Sequence, residues 1–386
     1  MNILFLSPAF PPTAGAFCRA LAARGVNVLG IGDEPLPQDS AQARGLHHYV
    51  YEPGMGDYGA LRIAVGALIE RYGAIDRVDS NGEHWLVAEA KLRDEFGIRG
   101  LSSAALAQQR SKLGMAALFG GAGVPYPPTI PAESGSKVRS FAKEHGYPLI
   151  FKPDHGSGAR DTFRVTNDGA LEEAIGRQLQ SHVVQPFVEA PLITYDGLTD
   201  REGRIVFATS HEYDTGIMQL RERQSDGYYY SLRELPPGLE AVGARVVAAF
   251  DLRERFFHLE LFNHGDGKYT GLEMNLRPPG GFTTDMMNAA CDVDVYELWG
   301  KIMAGEDVRD FRFERRYHTA HAGRRAGRRY QLSDPELRAE LGEMLFAEHG
   351  VPAAFADTMG DVAYLLRHVE LAGVLRGVQL VQTPSA

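Results

Sequence analysis

The stretch from Phe151 to Phe163, FKPDHGSGARDTF, has a lysine at the end of an apolar run, directly before a loop with two glycines. The preceding residues GYPLI and the following residues RV have the composition of β-strands, so the loop is expected to connect two strands. Glycine lets a backbone bend closely around a ligand, and a lysine beside such a loop favours an anion. The stretch therefore predicts a strand–loop–strand unit that binds phosphate.

A second feature lies about a hundred residues further on, where the apolar runs FFHLELF and YTGLEMNLR flank the turn NHGDGK, as in a β-hairpin. Strand alternation places Glu273 and Asn275 on one face, and Glu260 on the preceding strand can lie near them. Two carboxylates and a carboxamide suit Mg2+ and leave positions for phosphate oxygens and water. Arg277 continues this face and can form a bidentate contact with a phosphoryl or acyl-phosphate group. Taken alone, the same residues are equally compatible with a chance run of surface polar groups.

The first hundred or so residues have the pattern of an open parallel α/β domain. NILFLS, AFCRALAARG and VNVLGIGD predict a strand, a helix and a strand, and a later strand and helix are predicted at IDRVDS and EHWLVAEAKLRDEFG. The first turn, SPAFPPTAGA, has prolines where the dinucleotide fingerprint requires glycines, so NAD is not expected.

Composition limits the classes of protein that fit. A chain of 386 residues with 44% hydrophobic content is too long for one core and predicts two or three domains. A net charge of -10 argues against a nucleic-acid partner, and the basic cluster RRAGRR is short and isolated. Cys18 and Cys291 are too few for a disulfide framework, which suits the cytoplasm. The opening MNILFLSPAFPP lacks a basic start, and no apolar run approaches the roughly 20 residues that span a bilayer, so neither a secretory signal nor a membrane role is expected.

In their order and residue types, these motifs resemble the ATP-grasp superfamily of the carboxylate–amine ligase type, and they are similar to its biotin carboxylase and carbamoyl-phosphate synthase large-chain branch. The resemblance implies a mixed α/β and α+β fold, in which an open parallel α/β pre-ATP-grasp domain is followed by a two-lobed ATP-grasp fold. The implied divisions are residues 1–100 for the first domain, 101–187 for the small lobe with the glycine-rich loop, 188–310 for the large lobe with the metal site, and 311–386 for a C-terminal extension that packs on the ATP-grasp domain.

The resemblance also implies a nucleotide site. Lys112 in RSKLGM and Lys152 in FKP match the two lysines of the family, and HGSGARDTF matches the loop that folds over the triphosphate. VVQPFV matches the hinge that holds the adenine. Leu192 stands where many relatives have an acidic ribose ligand, so Glu189 or another group is expected to take that role. The implied ATP-binding residues are Lys112, Lys152, His155, Gly156, Ser157, Gly158, Gln185, Phe187, Val188 and Glu189. For His155 a solvated loop position is an equal alternative.

The remaining implied residues concern the metal and the chemistry. In the resemblance, Glu260, Glu273 and Asn275 hold Mg2+, with Mn2+ as an alternative. Lys152 and Arg277 are implied to be catalytic, because they neutralise the transferred phosphoryl group. The candidate substrate residues are His211, Arg221, Arg223 and Arg233, although His211 can instead fill a strand position.

The sequence thus predicts an ATP- and Mg2+-dependent ligase that activates a small carboxylic acid, with amino acids among the candidates, as an acyl phosphate for attack by an amine. The alternatives are a bicarbonate-using carboxylase or carbamoyl-phosphate-type enzyme, a phosphotransferase, and a nucleotide-binding regulatory protein without turnover. The sequence has no Met-Lys-Met biotinyl segment and no second ATP site, which favours a single-site carboxylate–amine ligase. The expected partners are small-molecule carboxylates and amines and a second copy of the chain in a homodimer. In the tail, a helix is predicted at DPELRAELGEMLFAEHG and a last strand near GVLRGVQLVQ.

Overall fold

A computed structural model of the chain describes residues 1–156, 161–177, 179–214 and 226–385. Four of the predicted site residues, Ser157, Gly158, Arg221 and Arg223, lie outside the described residues. The described residues form three β-sheets. Within the described ranges, no helix has both the length and the apolar character needed to cross a membrane.

The first sheet is parallel and has the strand order β3–β2–β1–β4. Its strands are β1 (Asn2–Leu6), β2 (Asn27–Gly32), β3 (His48–Tyr51) and β4 (Arg77–Asp79). The helices of this region are α1 (Ala14–Ala22), α2 (Tyr58–Tyr72) and α3 (Leu86–Phe96). Ile3 and Phe5 pack in one apolar cluster with α1, and Leu4 and Leu6 pack in another with α2, so β1 is buried on both faces. This arrangement confirms the predicted open parallel α/β domain.

Two helices, α4 (Ser103–Arg110) and α5 (Lys112–Gly121), lead to a small antiparallel sheet with the order β5–β8–β6–β7. Its strands are β5 (Ile130–Pro131), β6 (Leu149–Pro153), β7 (Phe163–Val165) and β8 (His182–Pro186). Helices α6 (Gly135–His145) and α7 (Asp168–Gly176) complete this unit. Phe151 on β6 packs with Phe141 of α6 and Leu171 of α7, which fixes the strand that carries Lys152.

The third sheet is antiparallel and has the order β14–β13–β9–β11–β12–β15–β17–β16, with β10 also paired to β9. Its strands are β9 (Leu192–Thr199), β10 (Ile205–Thr209), β11 (His211–Tyr213), β12 (Tyr228–Ser231), β13 (Phe256–Asn263), β14 (Tyr269–Asn275), β15 (His318–Arg324), β16 (Leu345–Gly350) and β17 (Val362–His368). The remaining helices are α8 (Leu239–Ala249), α9 (Thr283–Cys291), α10 (Val295–Met303), α11 (Asp334–Leu341), α12 (Ala353–Met359) and α13 (Leu371–Gln382).

The large sheet joins parts of the chain that are far apart in sequence. Met115 and Phe119 of α5 lie in its core beside β9, β13 and β14, and β15 to β17 extend the same sheet beyond β12. The predicted domain limits at residues 100, 187 and 310 stay predictions.

Two expectations for the tail are wrong. The helix predicted from Asp334 ends at Leu341, and residues Leu345–Gly350 form strand β16. The last strand predicted near residues 373–382 is instead helix α13. The valines of this segment, Val374, Val378 and Val381, recur at helical spacing and are buried together, so their spacing outweighs their preference for strands.

Candidate active site

Lys112 is the first residue of α5, and its position is fixed by the end of β6. The side chain of Ser111 caps the helix by accepting a hydrogen bond from Gly114 N. Asp154, just after β6, accepts hydrogen bonds at Oδ1 from Ser111 Oγ (3.0 Å) and Leu113 N (3.2 Å). Its carbonyl accepts another from Lys112 N at 3.1 Å. The start of α5 is therefore tied to the strand that carries Lys152.

The two predicted lysines lie near the hairpin of β13 and β14, which carries the predicted metal ligands. Lys112 Nζ donates to Gly156 O at 2.6 Å and lies 3.5 Å from Glu273 Oε1. Lys152 is buried, with 9% of its surface exposed. Burial lowers the pKa of Lys152 to about 8, and Lys112 adds to this effect, whereas Glu273 and Glu260 oppose it. The site thus holds closely spaced positive charges that an anionic phosphate would stabilise.

The predicted metal ligands lie together on the hairpin of β13 and β14. Glu260 and Glu273 are cross-strand partners, and the register shifts between Glu260 and Leu261, where Leu272 is the additional residue of β14. Such a bulge redirects neighbouring side chains. Burial and the nearby Glu260 raise the pKa of Glu273, against the opposing effect of Lys112 and Lys152. Two carboxylates held this close favour a bound cation.

Asn275 supplies the third predicted ligand. It is buried, and its Nδ2 has no hydrogen-bond partner among the described residues. Within those residues, no group of three or more His, Cys, Asp and Glu side chains is arranged to hold a metal ion. What supports Mg2+ is the chemistry of the side chains: the carboxylates of Glu260 and Glu273 and the carboxamide oxygen of Asn275 are ligand types that Mg2+ accepts together with phosphate and water.

The sequence analysis did not predict a series of buried, hydrogen-bonded side chains that starts at Glu260. His258 Nε2 lies 3.0 Å from Glu260 Oε1, and His258 Nδ1 lies 2.6 Å from Asp196 Oδ1. The other oxygen of Asp196 lies 2.7 Å from His211 Nδ1. Burial opposes ionisation of His258, but Asp196 and Glu260 outweigh it and raise its pKa to about 9. The two-residue spacing in HLE was a signal for His258, but nothing local in the sequence indicated Asp196 on β9.

Arg277 contacts a residue of the first domain that the sequence analysis also missed. Its Nε lies 3.6 Å from Glu83 Oε2, and its Nη1 donates to Pro278 O. Glu83 follows β4 and pairs through Oε1 with Arg110 at 2.9 Å. Glu83, Arg110, Gly156, Glu273 and Asn275 line a common cleft. The carboxyl end of the first sheet thus borders the hairpin of β13 and β14.

The predicted adenine hinge follows the end of β8. Gln185 is buried, and its Nε2 donates to Thr129 Oγ1 at 2.8 Å. Phe187 is half-buried beneath the guanidinium of Arg164, whose Cζ lies 4.0 Å from the ring centre. Val188 is half-buried and Glu189 is exposed. The position at which many relatives have an acidic ribose ligand is taken by Leu192, the first residue of β9.

The other predicted residues differ in accessibility. His155 is exposed, and its Nδ1 lies 3.2 Å from Asp154 Oδ2. His211 is 1% exposed and contacts Asp196, as described above. Arg233 donates from Nη1 to Val369 O at 2.7 Å and from Nε to Arg315 O at 3.5 Å. The substrate roles of His211 and Arg233 stay predictions.

No protein-family model matches the chain. An L-arginine-specific L-amino acid ligase of Bacillus subtilis is 22% identical over 247 residues, which cover 59% of this chain and 58% of that protein. The chain therefore spans less than two thirds of the length of this curated relative.

Several solved structures resemble the whole chain. An L-amino acid ligase from Bacillus licheniformis has a TM-score of 0.76 at 16% identity, covering 98% of this chain and 96% of that one. The biotin carboxylase domain of the Hydrogenobacter thermophilus 2-oxoglutarate carboxylase has a TM-score of 0.73 at 16% identity, covering 98% and 89%. The N5-carboxyaminoimidazole synthetase of Staphylococcus aureus has a TM-score of 0.73 at 12% identity, covering 99% and 97%. Each of these similarities covers nearly the full length of both chains and so concerns the whole architecture. The chain therefore has the ATP-grasp fold.

Proposed function

We propose that the protein is an ATP- and Mg2+-dependent ligase that joins the carboxylate of a small acid, in the first place an amino acid, to an amine. The products are an amide or peptide bond, ADP and phosphate. The observation that carries the proposal is the convergence of Lys112 and Lys152 on Glu260, Glu273 and Asn275 within an ATP-grasp fold.

Amino acids are the favoured substrates because the chain is similar both to the B. subtilis L-amino acid ligase and to the L-amino acid ligase from B. licheniformis. ATP and Mg2+ are favoured because the similar H. thermophilus domain was crystallised with MgADP. Mn2+ is a proposed substitute, since it also accepts oxygen ligands.

The proposed reaction has two steps. In the first, an oxygen of the substrate carboxylate attacks the γ-phosphorus of ATP, the bond between the γ-phosphorus and the bridging oxygen breaks, and ADP leaves. In the second, the neutral amine attacks the carbonyl carbon, the carbon–oxygen bond to phosphate breaks, and the nitrogen loses a proton. The phosphorylation is needed because a free carboxylate has no good leaving group.

The residues of the chain have distinct roles in this scheme. Lys112 and Lys152 hold the phosphates, and Arg277 neutralises the transferred phosphoryl group. When bound by Glu260, Glu273 and Asn275, Mg2+ supplies positive charge to the phosphate oxygens. Gln185 and the backbone of Phe187 and Val188 are proposed to contact the adenine, and Glu189 the ribose.

Two further proposals concern the state of the enzyme. A homodimer is proposed because the similar H. thermophilus domain is described as a dimer. A cytoplasmic location is proposed because the reaction consumes ATP.

The function is tested by ADP release from purified protein with ATP, Mg2+ and a matrix of amino acids, each supplied singly and in pairs. We expect release that requires a specific acid and amine, stops in excess EDTA, and accompanies a dipeptide or amide detected by mass spectrometry. Release that depends on bicarbonate would instead identify the carboxylase or carbamoyl-phosphate-type alternative. ATP binding without release under any combination would identify a regulatory protein.

A further inference from the structure

We infer that His258 is a positioning residue that fixes the Glu260 carboxylate for metal binding and is itself held by the buried pair Asp196 and His211. The inference rests on the proposed function, because it takes Glu260 to be a ligand of the nucleotide-bound Mg2+.

The strand register places these groups next to one another. His258 and Glu260 are two residues apart on β13 and therefore share a face of the sheet. Asp196 on β9 is the direct cross-strand partner of His258, and Asn275 on β14 is its partner on the other side. His258 thus lies in the row of side chains that also contains a proposed metal ligand.

Both ring nitrogens of His258 are occupied. Nδ1 lies 2.6 Å from Asp196 Oδ1 and Nε2 lies 3.0 Å from Glu260 Oε1. Rotation of the ring would break at least one of these contacts, so the ring holds the Glu260 carboxylate in one orientation. It also follows that His258 has no free nitrogen with which to bind the metal itself or to accept a proton from a substrate.

Asp196 is held in turn by a second set of contacts. It is fully buried, and its Oδ2 accepts a hydrogen bond from Thr194 Oγ1 and lies 2.7 Å from His211 Nδ1. The backbone N–H of His211 donates to Thr194 Oγ1 at 3.1 Å. A buried carboxylate is costly unless it is paired, and here each of its oxygens has a partner.

Such a network adds little net stability to a sheet, because the desolvation of buried charges offsets much of their attraction. Apolar side chains of similar volume commonly stabilise a buried site as well as a set of paired charges does. The network of polar side chains adds a fixed orientation for the Glu260 carboxylate at its end. Residues that orient metal ligands typically alter metal affinity by about tenfold to a hundredfold when they are removed.

The test compares two substitutions that each retain a different one of the two contacts of His258. His258→Asn keeps an amide nitrogen near the position of Nδ1, which contacts Asp196, but cannot reach Glu260. His258→Gln places its amide nitrogen near the position of Nε2 and can still donate to Glu260. His264→Asn is the control, because His264 lies on the same hairpin, contacts Thr270 Oγ1 and is exposed.

The readout is the dissociation constant of ADP, measured by calorimetry with excess Mg2+ and again with EDTA. We expect the wild type and His264→Asn to gain affinity when Mg2+ is present. We expect His258→Asn to lose about tenfold of that gain while its affinity in EDTA is unchanged, and His258→Gln to recover part of it. A merely structural role would change the affinity in EDTA as well.

Two results would overturn the inference, and only the second would also overturn the proposed metal site. If the wild type gains affinity from Mg2+ and His258→Asn gains as much, His258 does not position Glu260, and the proposed metal site stands. If the wild type itself gains nothing from Mg2+, the metal site of the proposed function fails together with the inference.

Discussion

At the scale of single residues, Lys152 gives the site a dependence on pH. Its pKa is lowered to about 8, chiefly by burial, so the side chain carries its full charge below that pH and loses it above. Because the proposed role has phosphate bind the charged form, we expect the dissociation constant of ADP to rise by up to about tenfold per pH unit above about pH 8. Calorimetry of the wild type and of Lys152→Arg measures this, since arginine stays charged throughout. An ADP affinity of the wild type that stays constant well above pH 8 would contradict this role of Lys152.

Glu273 illustrates a conflict between stability and function. Its pKa is raised from 4.5, mainly by burial. In the unfolded chain it ionises at a lower pH, so the carboxylate destabilises the folded state increasingly as the pH rises above about 4.5. We therefore expect Glu273→Gln to be at least as stable as the wild type at pH 7, with a smaller difference near pH 4.5, and to lack turnover. Denaturant titrations at the two pH values measure this. A variant that is less stable at the higher pH would show that Glu273 is satisfied within the protein alone.

At the scale of elements, Asp154 couples the small sheet to helix α5. It accepts from Ser111 Oγ and Leu113 N and thereby positions Lys112. We expect Asp154→Ala to lower the free energy of unfolding by about 1 kcal/mol, as the loss of a helix-cap contact does, and to weaken ADP binding severalfold. Asp168→Ala is the control, because Asp168 begins α7 in the same unit and accepts from Tyr147 OH. If both variants lose stability but bind ADP like the wild type, Asp154 has no role in placing Lys112.

The same scale shows what the sequence could predict. The hairpin of β13 and β14 was predictable because its alternation, its turn and its acidic residues are all local. The hydrogen-bonded series of side chains from Glu260 to His211 was not predictable. Asp196 is 62 residues from His258 and contacts it only because of the register between β9 and β13. The last helix is predicted as a strand because its valines favour strands. Burial of these valines on one helical face outweighs that preference.

At the scale of the whole molecule, Arg255 joins the first sheet to the large one. Its Nη2 lies 3.7 Å from both Asp79 Oδ2 and Glu89 Oε2, and its Nη1 donates to Leu276 O, between Asn275 and Arg277. We expect Arg255→Met to cost about 3–5 kcal/mol of unfolding free energy, because it leaves buried acidic groups without this partner. Chemical denaturation measures the change.

The matched control for Arg255 is an exposed arginine. Arg309 pairs with Asp307 at the surface, where water and salt screen the charges, so Arg309→Met should leave the free energy of unfolding nearly unchanged. Equal losses in the two variants would show that the network of Asp79, Glu89 and Arg255 does not stabilise the contact between the two sheets.

Activation of the carboxylate as an acyl phosphate can be read from the fate of the carboxylate oxygens. An amino acid that supports ADP release is labelled with oxygen-18 in its carboxylate, and the phosphate formed is analysed by mass spectrometry. We expect each phosphate to carry one labelled oxygen, because the carbon–oxygen bond to the phosphoryl group is the bond that the amine breaks. Unlabelled phosphate accompanying formation of the amide would contradict this expectation.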